Sequence, residues 1–146
     1  MQPTPLTDFL SVAGQITRED IAEAAKQGYG TIINNRPDGE EPGQLSHAEA
    51  EAEAKRLGLE YRYIPVVTNA ITRRDVAAYQ NAILRGPQPV LAHCRSGTRC
   101  YLLWGAVRAL FEGESALKIV AEAAAKGYDL RVLPSLVEKL SAERGD

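Results

Sequence analysis

Three helix starts recur along the first 86 residues, each closed a helix-length later by glycine, with a short apolar run before or after each. That alternation leaves few folds open. The starts are Thr17-Arg18-Glu19-Asp20, Ser46-His47-Ala48-Glu49 and Thr72-Arg73-Arg74-Asp75, and the closing residues are Gly28, Gly58 and Gly86. Each start places a hydroxyl where it can accept an orphan backbone N–H, and a carboxylate three residues later favours the positive helix end. Only Ser46–Glu49 is the strict Ser/Thr-x-x-Glu box; the two Asp versions are looser. The closing glycines suit the left-handed conformation that stops a helix. Between these helices lie Phe9–Ala13, Thr31–Asn34, Tyr61–Val66 and Val90–His93, all short and rich in apolar, β-branched or aromatic residues. Val90-Leu91-Ala92 is wholly apolar, as expected of a strand covered on both faces. Strands alternating with helices imply crossover connections, hence an α/β fold with a mainly parallel sheet of four or five strands flanked by helices. Beyond His93 the pattern is helical, over Thr98–Glu112, Ser115–Lys126 and Pro134–Glu143, with Pro134 suited to a first helical position. Leu103, Trp104, Val107 and Leu110 recur at helical spacing and read as core.

The 146 residues, 45% hydrophobic, are enough for one domain spanning residues 1–146 with a substantial core. The longest break, Arg36–Leu45, holds two Pro and two Gly but is too short to separate domains. A net charge of −2 gives no general attraction to nucleic acid or to an anionic membrane. No apolar run approaches the ~20 residues that span a bilayer, and Met1–Pro5 lacks the basic start and apolar stretch of a secretory signal. Two cysteines, Cys94 and Cys100, cannot build a disulfide framework, and no His/Cys group has zinc spacing. The expectation is a cytoplasmic domain with no metal and no cofactor. Glu49, Glu51 and Glu53, separated by alanines, read as a solvated helix face.

The chemistry is concentrated in His93-Cys94-Arg95-Ser96-Gly97-Thr98-Arg99, which follows the buried strand and leads into a helix. In open α/β sheets, ligands bind beyond the carboxyl ends of strands. A turn entering a helix aims several N–H groups at one point, where the helix dipole favours an anion. Gly97 lets the backbone fold tightly there. A cysteine so placed has a lowered pKa, because its thiolate is the stabilised anion. Arg99 adds a guanidinium fork for an oxyanion. The competing reading is a buried structural cysteine beside a surface turn, which leaves the two arginines flanking Ser-Gly-Thr unexplained.

At this loop, with Trp104 five residues further on, the sequence resembles the bacterial beta-lactamase-hydrolase-like phosphatase-like domain family. The likeness continues through Gly14-Gln15-Ile16, Ile33-Asn34-Asn35-Arg36-Pro37-Asp38, and Tyr63-Ile64-Pro65-Val66 before Ile71-Thr72. It implies a dual-specificity, protein-tyrosine-phosphatase-like fold with a Cys/Arg loop. It leaves the activity between a phosphatase and a rhodanese-like sulfurtransferase.

Two features of the loop favour sulfur transfer at this stage. Tyrosine phosphatases resemble one another in placing five residues between Cys and Arg, which would require Arg at position 100. Cys100 stands there and Arg99 comes one residue early, leaving four, the spacing of many rhodanese loops. Cysteine phosphatases of this fold also resemble one another in having a general-acid Asp on the loop after the preceding strand, and Val66-Val67-Thr68-Asn69-Ala70 has no carboxylate. Such an acid is worth ~10²–10⁴-fold, whereas sulfite or a thiolate departs without one.

The expected function is therefore a sulfurtransferase, with Cys94 as nucleophile and Arg99 as clamp. Arg95, Ser96, Gly97, Thr98 and Arg36 would bind the substrate, a small anionic sulfur donor, with a thiol or cyanide as acceptor and a persulfide dioxygenase as an expected partner. The alternative is a cysteine-based phosphatase, and the third reading is a redox-sensing or anion-binding module using Cys94 and Cys100. Supporting residues carry two readings each. His93 orients the loop, as the resemblance implies, or is merely structural. Arg36 joins the anion site or makes a surface salt bridge. Asp38 supplies a proton or is a turn residue. Cys100 is by default a small buried residue, and in the minority reading a resolving thiol.

Overall fold

The computed structural model describes residues 1–143. Five strands form one sheet: β1 (Thr4–Pro5), β2 (Leu10–Ala13), β3 (Thr31–Asn34), β4 (Glu60–Tyr63) and β5 (Val90–His93), in the order β1-β2-β5-β3-β4. β2, β5, β3 and β4 are parallel, and only the two-residue β1 runs antiparallel, against β2. The expected α/β architecture is thus present, with its strand count at the upper value. β5 is central and fully buried, as its apolar run requires.

Among the described residues there are also six α-helices: α1 (Arg18–Lys26), α2 (His47–Arg56), α3 (Arg73–Arg85), α4 (Thr98–Phe111), α5 (Ala116–Ala125) and α6 (Leu133–Ala142). A 3₁₀ turn, Thr68–Ala70, precedes α3. All three cap sequences form reciprocal capping boxes, the looser Asp versions included. Gly28 and Gly58 take positive φ. Gly86 does not, having φ −79°; it is glycine because a Cβ there would lie 2.8 Å from the Ala82 carbonyl and 2.9 Å from the Thr31 hydroxyl. β4 ends at Tyr63 rather than Val66, since Ile64 and Val66 turn their N–H groups to Asn34 and Asn35 beyond the β3 ladder.

The sheet is covered on both faces. Ile32, Leu91 and Tyr61 pack with Ile21 and Ala24 of α1 and with Ala50 and Ala54 of α2. Ile33, Val90 and Ala92 face the other way, into a larger cluster with α3, α4, α5 and α6. α4 is buried from Cys100 through Val107 because other helices close over its outer side as well, and Trp104 lies edge-on to Phe9. The parallel strands all point their carboxyl ends to one edge, so the segments after β2, β3, β4 and β5 converge there. No helix among the described residues is long and apolar enough to cross a membrane.

Candidate active site

Cys94 is the first residue beyond central β5, and the chain then turns through Ser96 and Gly97 into α4. Neighbouring strand ends hold the loop from both sides. On the β2 side, the Cys94 N–H donates to the Ala13 carbonyl at 3.3 Å and the Gln15 N–H to the Arg95 carbonyl at 3.2 Å. On the β3 side, the Asn35 N–H donates to the His93 carbonyl at 2.8 Å. Gly14 has to be small here, because a Cβ would meet the Arg95 carbonyl at 2.9 Å. Gly97 caps α4 with φ +91°, a conformation that L side chains rarely adopt.

This turn makes the nest. The Gly97 N–H donates to Cys94 Sγ at 3.1 Å. The Cys94 pKa falls to about 5, foremost through a hydrogen bond from the Cys100 thiol; burial opposes, and the Cys100, Ser96 and Arg99 backbone N–H groups add to the fall. The sulfur is therefore a thiolate at neutral pH, held at the positive end of α4. Cys100 lies fully buried in the first turn of α4, its own pKa pushed up by burial and by the neighbouring Cys94 sulfur. It is the member of the pair that stays protonated.

Arg99 sits beside this anion. Its Nη1 and Nη2 bind both Glu40 carboxylate oxygens at 2.8 Å, and Nη1 also donates to the Val66 carbonyl at 3.0 Å. Glu40 bridges to a second arginine: Arg36 Nε donates to it at 2.9 Å. The two guanidinium groups, Arg99 first, hold the Glu40 pKa down to about 2. Arg36 is fully buried, with its remaining N–H groups on Glu41 and Gln15. It braces the loop after β3 and is neither an exposed salt bridge nor a free anion ligand. Asp38 is likewise committed, its carboxylate binding the His47 backbone N–H and ring at the start of α2. Ser96 and Thr98 pair their hydroxyls at the loop's outer edge, and Arg95 is exposed. His93 is 1% exposed and neither ring nitrogen has a hydrogen-bond partner among the described residues. Burial, aided by the Arg36 charge, lowers its pKa to about 4, so the ring is neutral. His93 ties the loop to β3 through its backbone carbonyl, which accepts from the Asn35 N–H.

Glu40 was missed by the sequence reading. Its only local signal was a second acid two residues past Asp38 in the same loop. Also unforeseen was a cavity of about 480 Å³ beside the nest, bounded by Thr98, Arg99, Thr68, Asp129, Arg131 and Ser135. It joins the loop after β4 to the segment between α5 and α6.

This parallel sheet, with a buried cysteine at a strand-to-helix turn and an arginine in the first turn of the helix, has the fold of phosphatase-like proteins. The model of the beta-lactamase hydrolase-like protein, phosphatase-like domain family matches residues 4–111, and the chain belongs to that family. Beta-lactamase hydrolase-like proteins of Xylella fastidiosa and Agrobacterium fabrum are 36% and 34% identical over 130 and 142 residues, 89% and 97% of this chain. The chain spans only 30% and 33% of their lengths. A solved candidate phosphatase from Neisseria meningitidis is 36% identical, with TM-score 0.79 and 96% of each chain covered. Tk-PTP, 19% identical with TM-score 0.73 and 97% of each chain covered, shares the fold.

These findings overturn the expected sulfurtransferase. The family is phosphatase-like, and the Neisseria meningitidis structure, 36% identical, is described as a candidate phosphatase. The loop count misled for a physical reason. The loop ends at Gly97, so Arg99 already lies in the first turn of α4, where its long side chain still reaches Glu40 and the Val66 carbonyl.

Proposed function

We propose that the chain is a cysteine-based phosphatase. The single observation that carries this reading is the Cys94 thiolate held in a nest of backbone N–H groups at the start of α4 with Arg99 beside it. The sulfur attacks phosphorus in line, the bond to the leaving group breaks, and a phosphocysteine forms. The nest and the Arg99 guanidinium hold the equatorial oxygens as charge builds on them. Glu40 and the Val66 carbonyl fix the Nη side of Arg99, so the fork needs no reordering when substrate arrives. Water then attacks phosphorus, the S–P bond breaks, and the thiolate returns as phosphate leaves with the water's proton.

The test is turnover of p-nitrophenyl phosphate with acid-quench mass spectrometry of the intact protein. Release of nitrophenol, with a phosphoryl adduct on Cys94 that Cys94→Ser lacks, is the expected result. Neither turnover nor adduct in the folded protein overturns the reading.

A further inference from the structure

A phosphatase acting on alkyl esters must protonate an alkoxide nearly as basic as hydroxide, whose conjugate acid, water, has a pKa of about 15.7. The carboxylates around this nest are poorly placed to do so. Glu40 is clamped between Arg99 and Arg36, and Asp129 receives Arg131 Nε at 2.9 Å and Nη2 at 2.7 Å. Asp38 is held by His47, and Val66–Ala70 turns only a backbone carbonyl toward Arg99. The arginines hold both Glu40 and Asp129 near a pKa of about 2, ionised throughout the neutral range. Each of these carboxylates is thus engaged by a cation or a histidine rather than free to give a proton.

The cavity opens at the first turn of α4. It shares Thr98 and Arg99 with the start of α4, and its far wall carries Arg131, paired with Asp129, and Ser135, whose hydroxyl donates to the Val132 carbonyl. Arg131 is aimed by Asp129, and its Nη1 makes no hydrogen bond among the described residues. About 480 Å³ is room for a phosphate and part of what it carries.

We infer that the substrate is a phosphoanhydride, whose terminal phosphoryl group enters the Cys94 nest while the adjoining phosphate, the leaving group, occupies the cavity beside Thr98 and Arg131. The inference rests on the phosphatase reading above. The Cys94 electron pair forms the S–P bond, and the bridging P–O bond breaks with its electrons going to the departing phosphate. That phosphate has a pKa of about 6 and leaves without a proton. Water then cleaves S–P, returning the thiolate and giving its proton to the second phosphate.

Adenosine diphosphate and adenosine monophosphate make a matched test, since only the leaving group differs, an anhydride phosphate against an alkoxide. With the whole chain, and Cys94→Ser as control, kcat/KM for the diphosphate is expected to exceed that for the monophosphate at least 100-fold. Arg131→Ala is expected to lower kcat/KM for the diphosphate at least tenfold more than for p-nitrophenyl phosphate. Monophosphate turnover within tenfold of the diphosphate means that a protein acid operates, and the inference fails. An unaltered ratio in Arg131→Ala removes the cavity from it. Turnover of p-nitrophenyl phosphate with neither nucleotide cleaved overturns the anhydride alone, whereas no turnover of any of the three overturns the phosphatase reading with it.

Discussion

Cys94 owes its charge to the turn that holds it and to a second cysteine. The largest influence on its pKa is the hydrogen bond from the Cys100 thiol, ahead of any single backbone N–H. Cys100→Ala is therefore expected to move the pH midpoint of Cys94 alkylation upward, and Cys100→Ser, which keeps a donor, to move it less. A midpoint unchanged in Cys100→Ala would assign the thiolate to the nest alone. The same ionisation has a thermodynamic sign. A folded pKa lowered from 9.0 to about 5 gives stability that is complete above the unfolded value and is lost as pH falls through 5. The clamp beside it depends on planar geometry. Arg99→Lys keeps the charge but cannot bind both Glu40 oxygens and the Val66 carbonyl as the fork does. It is expected to reduce kcat/KM for p-nitrophenyl phosphate at least tenfold, ~1.4 kcal/mol, in a variant that circular dichroism shows to be folded. Full activity in that variant would place the transition-state contact on another arginine.

The turn between β5 and α4 requires a backbone that only glycine adopts easily. A Cβ on Gly97 would carry φ +91° and would also meet the Tyr128 ring at 3.3 Å and the Ala13 carbonyl at 3.4 Å. Gly97→Ala is expected to cost about 1–2 kcal/mol and to raise the Cys94 pKa, because it displaces the N–H that lies 3.1 Å from Sγ. Calorimetry and the alkylation profile would show both, and a variant unchanged in both would mean that the turn tolerates a side chain. Such local devices were legible in the chain. The caps at Thr17, Ser46 and Thr72 and the nest at Cys94–Gly97 depend on neighbours a few residues away, and the structure carries them. β1 was not legible, since two residues including a proline become a strand only by pairing with Val12 and Ser11 of β2. The pairing of Glu40 with Arg99 was hidden for the same reason. It spans 59 residues and exists only because the sheet order sets β3 beside β5. Counting residues from Cys94 to Arg99 asked a one-dimensional question about a contact that helix geometry and a long side chain decide.

Glu40 ties together parts of the molecule that are remote along the chain: the loop after β3, the segment after β4 through the arginine it shares with the Val66 carbonyl, and the start of α4. Its folded pKa of about 2 lies below its ordinary 4.5, so the unfolded chain binds the proton more readily than the folded one. The contribution is complete above pH 4.5 and is lost as pH falls through 2. In that window the wild-type protein is expected to lose stability more steeply than Glu40→Gln, whose amide cannot titrate. The variant is expected to be the less stable of the two near neutrality, because an uncharged amide at this position leaves the buried Arg36 guanidinium with a poorer partner. Denaturant midpoints measured from pH 7 down to pH 2 would converge for the two proteins as the acid limit is approached. Parallel curves over the whole range would show that Glu40 is not the titrating link, and that the carboxylates on other arginines, Asp129 and Glu122 among them, set the acid response instead.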